Sequence, residues 1–463
     1  MGGQPVSRLW AAVLLLVTDT IGYFTAVTLA YFLRFQELQL PFEPTETNYY
    51  WFLPVFLITF YIFNSYDSEH RDSFLRVPER TLLGVGVATL TVSLIIFLMG
   101  RYAGAPLGRG VLAFLAVLIG LWTYISRQVV VSWIRARAQT VRWLVLGEAS
   151  ELDFFHDDLK KQQADWEIIL LGSRPPRAKK KPAGEADIWT VTGRRELARW
   201  LEEKPSGVIV ATRTILPDAV IDLLMNARMH GTRVYDLTDF YERFYFKLPV
   251  YHVKQGWFAL SRGFVLVNNP FRIRMKKLFD LFFSGMILLL TAPIMLVAAI
   301  LVRLESPGPV IYRQVRTGLN GRDFVVYKFR SMRDDAEKEG ARWASKGDAR
   351  VTTVGRFLRS TRIDELPQIL NVFRGDMSFI GPRPERPEFN RDLSKQIPFY
   401  DLRHLVKPGI TGWAQVMYPY GASVEDSREK LQYDLYYIKN YSSFLDFFIL
   451  LKTLRVVLFG LGR

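Results

Sequence analysis

The sequence predicts a membrane α plus α/β protein in three parts: a four-helix transmembrane anchor, a parallel α/β middle domain, and a C-terminal domain with a further membrane-seeking helix. Three observations carry this prediction. Four apolar runs, each close to the roughly 20 helical residues that a bilayer core of about 30 Å requires, fall before residue 135. From Val141 onward, short apolar runs alternate with amphipathic stretches, the pattern of strands and helices in a parallel sheet. From Leu278 a fifth apolar stretch leads into a strongly basic final third.

The first four runs extend from about Leu9 to Phe32, Tyr49 to Tyr66, Thr81 to Met99 and Val111 to Trp133, and residues 1–138 are assigned to this anchor. Arg8, then Arg71, Arg76 and Arg80, then Arg135, Arg137 and Arg142 alternate with sparser segments around Glu37, Glu43 and Glu46 and around Gly104 to Gly108. By the positive-inside rule, both ends of the unit face the cytoplasm. A cleaved signal peptide is the alternative for the first run, but the run is long and no clear small-residue cleavage site follows it. Composition agrees with a divided chain. Apolar residues make up 49% of the sequence, which excludes disorder, yet the net charge is +15, which calls for a water-facing part with anionic partners. The sequence has no cysteine, so disulfides, thiolate zinc sites and cysteine nucleophiles are all excluded.

Residues 139–268 read as the α/β domain, with strands at Val141 to Leu146, Ile168 to Gly172 and Gly207 to Ala211. The turn Gly147-Glu148-Ala149-Ser150-Glu151-Leu152 keeps only the first glycine of a G-x-G-x-x-G dinucleotide loop. Glu148 and Glu151 would stand where a pyrophosphate approaches backbone N–H groups. A structural or regulatory domain is therefore expected in place of a cofactor site. The basic run Arg174 to Pro182 reads as a solvated loop.

The fifth run, Leu278 to Val302, carries Asp280 near its start and Pro293 in its interior. Proline removes a backbone hydrogen bond, and Lys276, Lys277 and Arg303 put cations at both ends. This fits a re-entrant or interfacial hairpin that dips into one leaflet, with a true span as the alternative.

Chemistry concentrates in residues 269–463, where Arg313, Arg316, Arg322, Lys328, Arg330, Arg333, Arg350, Arg356, Arg359 and Arg362 follow one another. Such charge suits anionic headgroups or phosphates. No helix-turn-helix, finger or RRM pattern accompanies it, so nucleic acid is not expected. Within it stands Ile363-Asp364-Glu365-Leu366-Pro367-Gln368. Pro367 suits the first turn of a helix, so Asp364 and Glu365 would lie at its N-terminus, where an acidic pair often serves only as a cap. Among Arg356, Arg359 and Arg362, however, the pair could hold a divalent cation and a diphosphate, leaving one carboxylate free to attack phosphorus. The flanking cations and helix N-terminus would keep that carboxylate ionised. Arg383, held between Pro382 and Pro384, is preorganised for an anion or a flat base. Lys407 to Gln415 reads as a Gly-rich turn preceded by Arg403 and a structural His404. Leu431 to Arg455 reads as helices at the membrane interface, with ordinary core helices as the alternative.

From Lys276 to the C-terminus these motifs resemble the bacterial sugar transferase family of monotopic polyprenyl-phosphate glycosyl-1-phosphate transferases. The resemblance rests on Lys277-x-x-Phe279-Asp280, Ser306-Pro307-Gly308-Pro309, Arg313-Gln314 with Arg316, and Lys328 to Met332. It continues through Asp364 to Gln368, Asn371-Val372, Gly375 to Ser378, Gly381 to Pro384, Lys407 to Gln415 and Tyr433 to Tyr437. The whole chain looks like the large, three-part members that initiate exopolysaccharide assembly. It would then have a degenerate, Rossmann-like nucleotide-fold middle domain and a mainly helical monotopic catalytic domain.

The resemblance implies transfer of a sugar-1-phosphate from a UDP-sugar to polyprenyl (undecaprenyl) phosphate, with release of UMP. Asp364 would be the covalent nucleophile, and Glu365 with Asp364 would hold Mg²⁺. Arg359, with Arg330 and Lys277, would bind the substrate phosphate, and Arg383 with Pro382 and Pro384 would seat the uridine diphosphate. Asp280, Asp376 and Asp434 fall on further positions that the family uses, and the break in its re-entrant helix maps to Ala292-Pro293. The implied location is the bacterial inner membrane, multi-pass, with the catalytic domain on the cytoplasmic face and a homodimer as an open option. Two other readings stand beside this one: a membrane glycosyltransferase that releases UDP, and a non-catalytic regulator of polysaccharide assembly.

Overall fold

The computed structural model describes residues 8–36, 52–66, 77–103, 109–137, 141–148, 155, 166–173, 191–212, 216–253, 255–333, 348, 350–418, 421 and 423–458. The expected basic loop Arg174 to Pro182 and the cations Arg71 and Arg76 lie outside these residues.

The N-terminal part contains α1 (Arg8–Phe35), α2 (Leu53–Ile62), α3 (Val77–Ala103) and α4 (Arg109–Arg137). Helices α1, α3 and α4 are long and apolar enough to cross a membrane. Tyr23, Val27, Phe60, Val92, Leu115 and Ile119 pack between the helices, while Leu90, Phe97 and Val117 point outward. Exposed apolar side chains of this kind suit a hydrocarbon solvent.

The second expected span is shorter than the sequence suggested. Its helix has 10 residues, a rise of about 15 Å and so roughly half a bilayer core. The reason is local. Pro54 can occupy only the first turn of a helix, and Asn64 adopts a left-handed conformation (φ 55°) just past the other end. A polar contact invisible in the apolar runs ties the bundle together. Arg127 on α4 makes a two-pronged ion pair with Asp19 on α1, Nη2 to Oδ2 at 2.7 Å, and both side chains are fully buried. The Arg127 guanidinium also lies over the rings of Phe60 and Tyr66.

The middle part is a four-stranded parallel sheet of β1 (Val141–Glu148), β2 (Trp166–Ser173), β3 (Gly207–Ala211) and β4 (Val234–Asp236), in the order β2-β1-β3-β4. Between these strands in sequence lie α5 (Val191–Glu202) and α6 (Asp218–Met229). β4 has only three residues, too few for alternation to reveal from sequence. Gly147 pairs with Ala211 across β1 and β3, and a Cβ at this glycine would lie 2.3 Å from the Ala211 carbonyl oxygen. The glycine therefore serves strand packing, in keeping with a turn that lacks the rest of the dinucleotide loop.

The C-terminal part opens with α7 (Pro270–Glu305), a helix of 36 residues and about 54 Å. Pro293 lies inside this helix, so the expected break does not divide it into two helices. Lys276, Asp280 and Ser284 are buried towards one end and Ala298 and Val302 towards the other, while Leu289, Leu290, Ile294 and Leu296 between them are exposed. β5 (Ile311–Thr317) and β6 (Asp323–Phe329) form an antiparallel hairpin, and β7 (Ser378–Ile380) pairs in parallel with β8 (Gly409–Thr411). The remaining main helices are α8 (Thr353–Ser360), α9 (Ile369–Arg374), α10 (Pro387–Gln396), α11 (Val424–Lys439) and α12 (Ser443–Leu458).

The two C-terminal helices divide the expectation made for them. Leu431, Leu435, Tyr437 and Ile438 bury α11 in the core, together with Leu248, Val250 and Leu266 from the segment that joins the sheet to α7. Helix α12 exposes Phe444 and Phe447 and touches the N-terminal bundle. There Phe448 meets Tyr61 with ring centroids 5.6 Å apart, and Arg455 donates to Asn64 Oδ1 at 2.7 Å.

Candidate active site

Asp364 and Glu365 sit on a single 3₁₀ turn, Ile363–Gln368, which runs directly into α9. The turn begins after Arg362, whose left-handed backbone (φ 60°) reverses the chain out of α8 and carries the two carboxylates inward. Both are 7% exposed. Behind them, β6 places Lys328 and the Pro382–Arg383–Pro384 loop places Arg383.

The two acids have opposite fates. Glu365 accepts from Lys328 Nζ at 2.8 Å and is gripped in two-pronged fashion by Arg383, with one of those contacts at 3.1 Å. Burial works against its charge, but Arg383 and Lys328 outweigh it and hold the Glu365 carboxyl well below the usual range. Asp364 lacks such partners, and its Oδ1 is buried without a hydrogen bond. Burial, and then the neighbouring Glu365 charge, push it up to about 6, against the pull of Lys328, Arg359 and Arg362. The flanking cations were expected to keep the aspartate ionised; its carboxyl is nevertheless raised, because the cations nearest the pair are spent on Glu365. At neutral pH Asp364 is still mainly ionised, with an unengaged oxygen. Arg316, Val326, Lys328, Gln368, Arg383 and Pro384 line a small cleft on the side of the two cations that hold Glu365.

The other anticipated residues are placed as follows. Arg359 and Arg362 lie close enough to favour the charged form of Asp364. Arg330 does not face the carboxylates. Its guanidinium donates to the carbonyl oxygens of Ser306 at 2.7 Å and Pro307 at 3.0 Å, so it caps the end of α7. The substrate-phosphate role expected of it is corrected on that ground, since a helix C-terminus presents the carbonyls that its fork fits. Gly308, at φ +120°, permits this contact, because a Cβ there would lie 2.2 Å from Arg330 Nη1. Gly308→Ala is expected to destabilise the protein by about 1–3 kcal/mol, seen as a lowered melting temperature in detergent; an unchanged melting temperature would show that the cap is dispensable.

Lys277 is exposed on α7 beside Lys407. Asp280 accepts from Ser378 Oγ at 2.8 Å and from the Phe379 backbone N–H at 3.0 Å, which ties α7 to β7. Asp376 is exposed in the bend after α9. Asp434 accepts from Arg403 at 2.9 Å, and Arg403 in turn donates to the carbonyl oxygen of Arg383 at 2.8 Å. Asp434 thus supports the Arg383 loop from behind, and burial raises its carboxyl to about 6. The roles of Lys328, Arg316 and Arg403 were missed in the sequence. Arg316 donates to the Pro384 carbonyl oxygen at 3.1 Å and so steadies the loop from its other side. Lys328 and Arg316 stood in a basic run and in matched motifs, and Arg403 before a Gly-rich turn, without a stated role until register and loop path brought them together.

Among the described residues no cluster of three or more acidic or histidine side chains is built for a metal. Mg²⁺, however, commonly needs only one or two carboxylates when substrate phosphates supply the rest. The orphan oxygen of Asp364 beside Glu365 meets that sparse requirement, provided Glu365 yields one oxygen from Lys328 or Arg383.

A sequence model described as bacterial sugar transferase matches residues 271–460, the part that carries this site. The chain is 46% identical over 244 residues to a UDP-N-acetylgalactosamine-undecaprenyl-phosphate N-acetylgalactosaminephosphotransferase of Aeromonas hydrophila, covering 49% of this chain and 57% of the relative. It is 46% identical over 187 residues to a UDP-glucose:undecaprenyl-phosphate glucose-1-phosphate transferase of Klebsiella pneumoniae, covering 40% of each. It thus spans about half the length of these two relatives. An uncharacterized sugar transferase of Bacillus subtilis is matched at 42% identity over 192 residues, 41% of this chain and 89% of the relative. With the Asp364-Glu365 pair inside the matched region and nearly the whole of a shorter relative covered, the chain belongs to the bacterial sugar transferase family.

Proposed function

We propose that the protein transfers a sugar-1-phosphate from a UDP-sugar to undecaprenyl phosphate, releasing UMP, as the initiating step of exopolysaccharide assembly. The observation that carries the reading is the unequal carboxylate pair: Asp364 is buried, mainly ionised at neutral pH and has an unengaged oxygen, beside a Glu365 neutralised by Lys328 and Arg383. The relatives named above act, by their names, on UDP-sugars and undecaprenyl phosphate.

In the first step an Asp364 carboxylate oxygen attacks the β-phosphorus of the UDP-sugar. An oxygen–phosphorus bond forms to Asp364, the bond from the β-phosphorus to the bridging oxygen breaks, and UMP leaves with that oxygen and its electron pair. In the second step an oxygen of the lipid phosphate attacks the same phosphorus, forming the diphosphate and returning Asp364 as a carboxylate. Arg359 and Arg362 would offset charge on the transferred group, and Arg383 would meet the nucleotide phosphates. Mg²⁺, when bound at Asp364 and Glu365, would supply charge neutralisation of the diphosphate. Excess EDTA is expected to stop UMP release and added Mg²⁺ to restore it; full turnover in EDTA would remove the metal from the proposal.

Both ends of α7 pack on the same domain, Asp280 against β7 and Ala298 and Val302 against Phe329 and Leu358, with an exposed apolar stretch between. Because the helix is continuous, a return to one face needs a bend within α7 at Pro293; so bent, it would enter and leave the inner membrane on its cytoplasmic face, where a soluble nucleotide sugar and a lipid phosphate can meet at Asp364. The deciding experiment is identification of the nucleotide released by membranes supplied with undecaprenyl phosphate and a panel of UDP-sugars. UMP is expected. Release of UDP would replace this reaction with simple glycosyl transfer.

A further inference from the structure

A cavity of about 350 Å³ lies between the turn of the β5–β6 hairpin and the segment formed by α10 and the 3₁₀ turn Tyr400–Leu405, and Thr317, Asp323, Asn390, Ser394, Asp401 and His404 are among the residues that line it. It stands apart from the reacting centre. Asp323 is five strand residues from Lys328, roughly 17 Å along β6, and the alternation of a strand turns the two to opposite faces. What marks the cavity as a site is unmet hydrogen bonding. Asn390 is 7% exposed, and its Oδ1 and Nδ2 are both buried without a partner; His404 Nε2 is likewise buried and unpaired. Buried polar atoms are nearly always paired, so three orphans around one cavity call for an occupant.

The lining selects by charge. Asp323 and Asp401 outnumber Arg391, so a phosphate or carboxylate is repelled, and among the described residues no acidic or histidine cluster is built for a metal. Burial and then Arg403 lower the His404 imidazole to about 4, so it is neutral and, like the Asn390 amide, offers no charge to pair with an ion. An apolar molecule would leave all three orphans unpaired. An uncharged molecule with several hydroxyls meets each demand, because a hydroxyl both donates to Asn390 Oδ1 or a carboxylate and accepts from Asn390 Nδ2. The volume lies at the lower end of small-molecule pockets, which suits about one sugar ring.

Both walls of the cavity hold the Arg383 loop. Helix α10 opens at Pro387, at the end of that loop, and the Thr317 N–H donates to the Glu385 carbonyl oxygen at 3.0 Å. From the opposite wall Arg403, the neighbour of His404, donates to the Arg383 carbonyl oxygen at 2.8 Å. The cavity thus exists in the arrangement in which Arg383 grips Glu365, and a molecule that fills it favours that arrangement. Capture of a nucleotide sugar asks the opposite, that Arg383 turn from Glu365 to the incoming phosphates. We infer that this cavity is an effector site for an uncharged polyhydroxyl molecule, a sugar ring free or at the end of a glycan, whose binding keeps Arg383 on Glu365 and weakens capture of the donor. The binding stands on the cavity alone, whereas the effect on the donor rests on the proposed reaction.

Full-length protein in detergent is titrated calorimetrically with glucose, N-acetylgalactosamine, maltose and inorganic pyrophosphate, as wild type, Asn390→Ala and Ser394→Leu. Saturable sugar binding is expected in wild type. It should weaken about tenfold or more in Asn390→Ala, which removes donor and acceptor together, and in Ser394→Leu, which puts bulk where the ring lies, while pyrophosphate affinity is kept. Tighter binding of maltose than of glucose assigns the site to a glycan end, and the reverse to a free sugar; either supports the inference. In UMP-release assays, saturating sugar is expected to raise the KM for the UDP-sugar about fivefold and then no further, with kcat kept. No saturable binding in wild type, sugar affinity unchanged in both variants, or equal losses of sugar and pyrophosphate affinity overturns the site. A KM that climbs without limit makes the sugar a competitor for the donor's own place and overturns it too, and an unchanged KM overturns the coupling to Arg383. Turnover that releases UDP overturns the proposed reaction and leaves the binding result intact.

Discussion

Asp364→Asn is expected to abolish UMP release, by roughly 10⁴-fold or more, while UDP-sugar binding survives. The amide has nearly the shape of the carboxylate but no negative charge, so it cannot form the oxygen–phosphorus bond. Binding survives because the cations that would meet the phosphates are positioned by other groups: Arg383 by Glu365 and Lys328 by Glu365. The acidity of Asp364 gives an independent check. With its carboxyl raised to about 6, the active ionised fraction is lost as pH falls through that value. The kcat/KM for UMP release is expected to drop about tenfold per pH unit below 6 and to level off above it. A variant that keeps substantial turnover, or a profile flat from pH 5 to 8, would assign the nucleophile elsewhere.

How much of this could be read in the sequence depended on whether a feature is local. The long apolar helices were legible because lipid-facing residues need only be apolar, and the parallel sheet because its buried strands are short continuous runs. The length of α2 was not, since a window average hides Pro54 and Asn64 at its ends. The Asp19–Arg127 pair joins positions 108 apart, and each is an isolated charge within its own apolar run. At the site, the Asp364-Glu365 pair and the proline-flanked Arg383 stood out, but what they do to each other did not. Sequence placed Arg383 as a receptor for an anion, and in the fold the anion it holds is Glu365. Arg330 shows the opposite failure. Its place in a basic run suggested phosphate, whereas the chain turns at Gly308 and brings helix carbonyls to it. Charge type is local, but the partner of a charge is not.

Glu365→Gln is the second large effect, and it acts in two directions. Removing the Glu365 charge deprives Lys328 and Arg383 of their shared partner. Breaking a buried pair from one side costs roughly 3–5 kcal/mol, and the lower end applies because Arg383 keeps 33% of its side chain exposed. UMP release is expected to fall about 10²- to 10³-fold, since Arg383 and Lys328 lose the anchor that aims them at the substrate. The acid limb should move the opposite way from a simple loss. Glu365 is one of the groups that raise Asp364, and its two cations are freed to act on Asp364 in its place. The carboxyl of Asp364 then falls below about 6, and the residual activity is expected to persist to lower pH than in wild type. A merely destabilised protein would lose activity without displacing the profile. A pH–rate profile of the residual turnover, measured beside the melting temperature, therefore separates an electrostatic role for Glu365 from a structural one; an undisplaced acid limb would mean that the two carboxylates do not share their charge as the geometry requires.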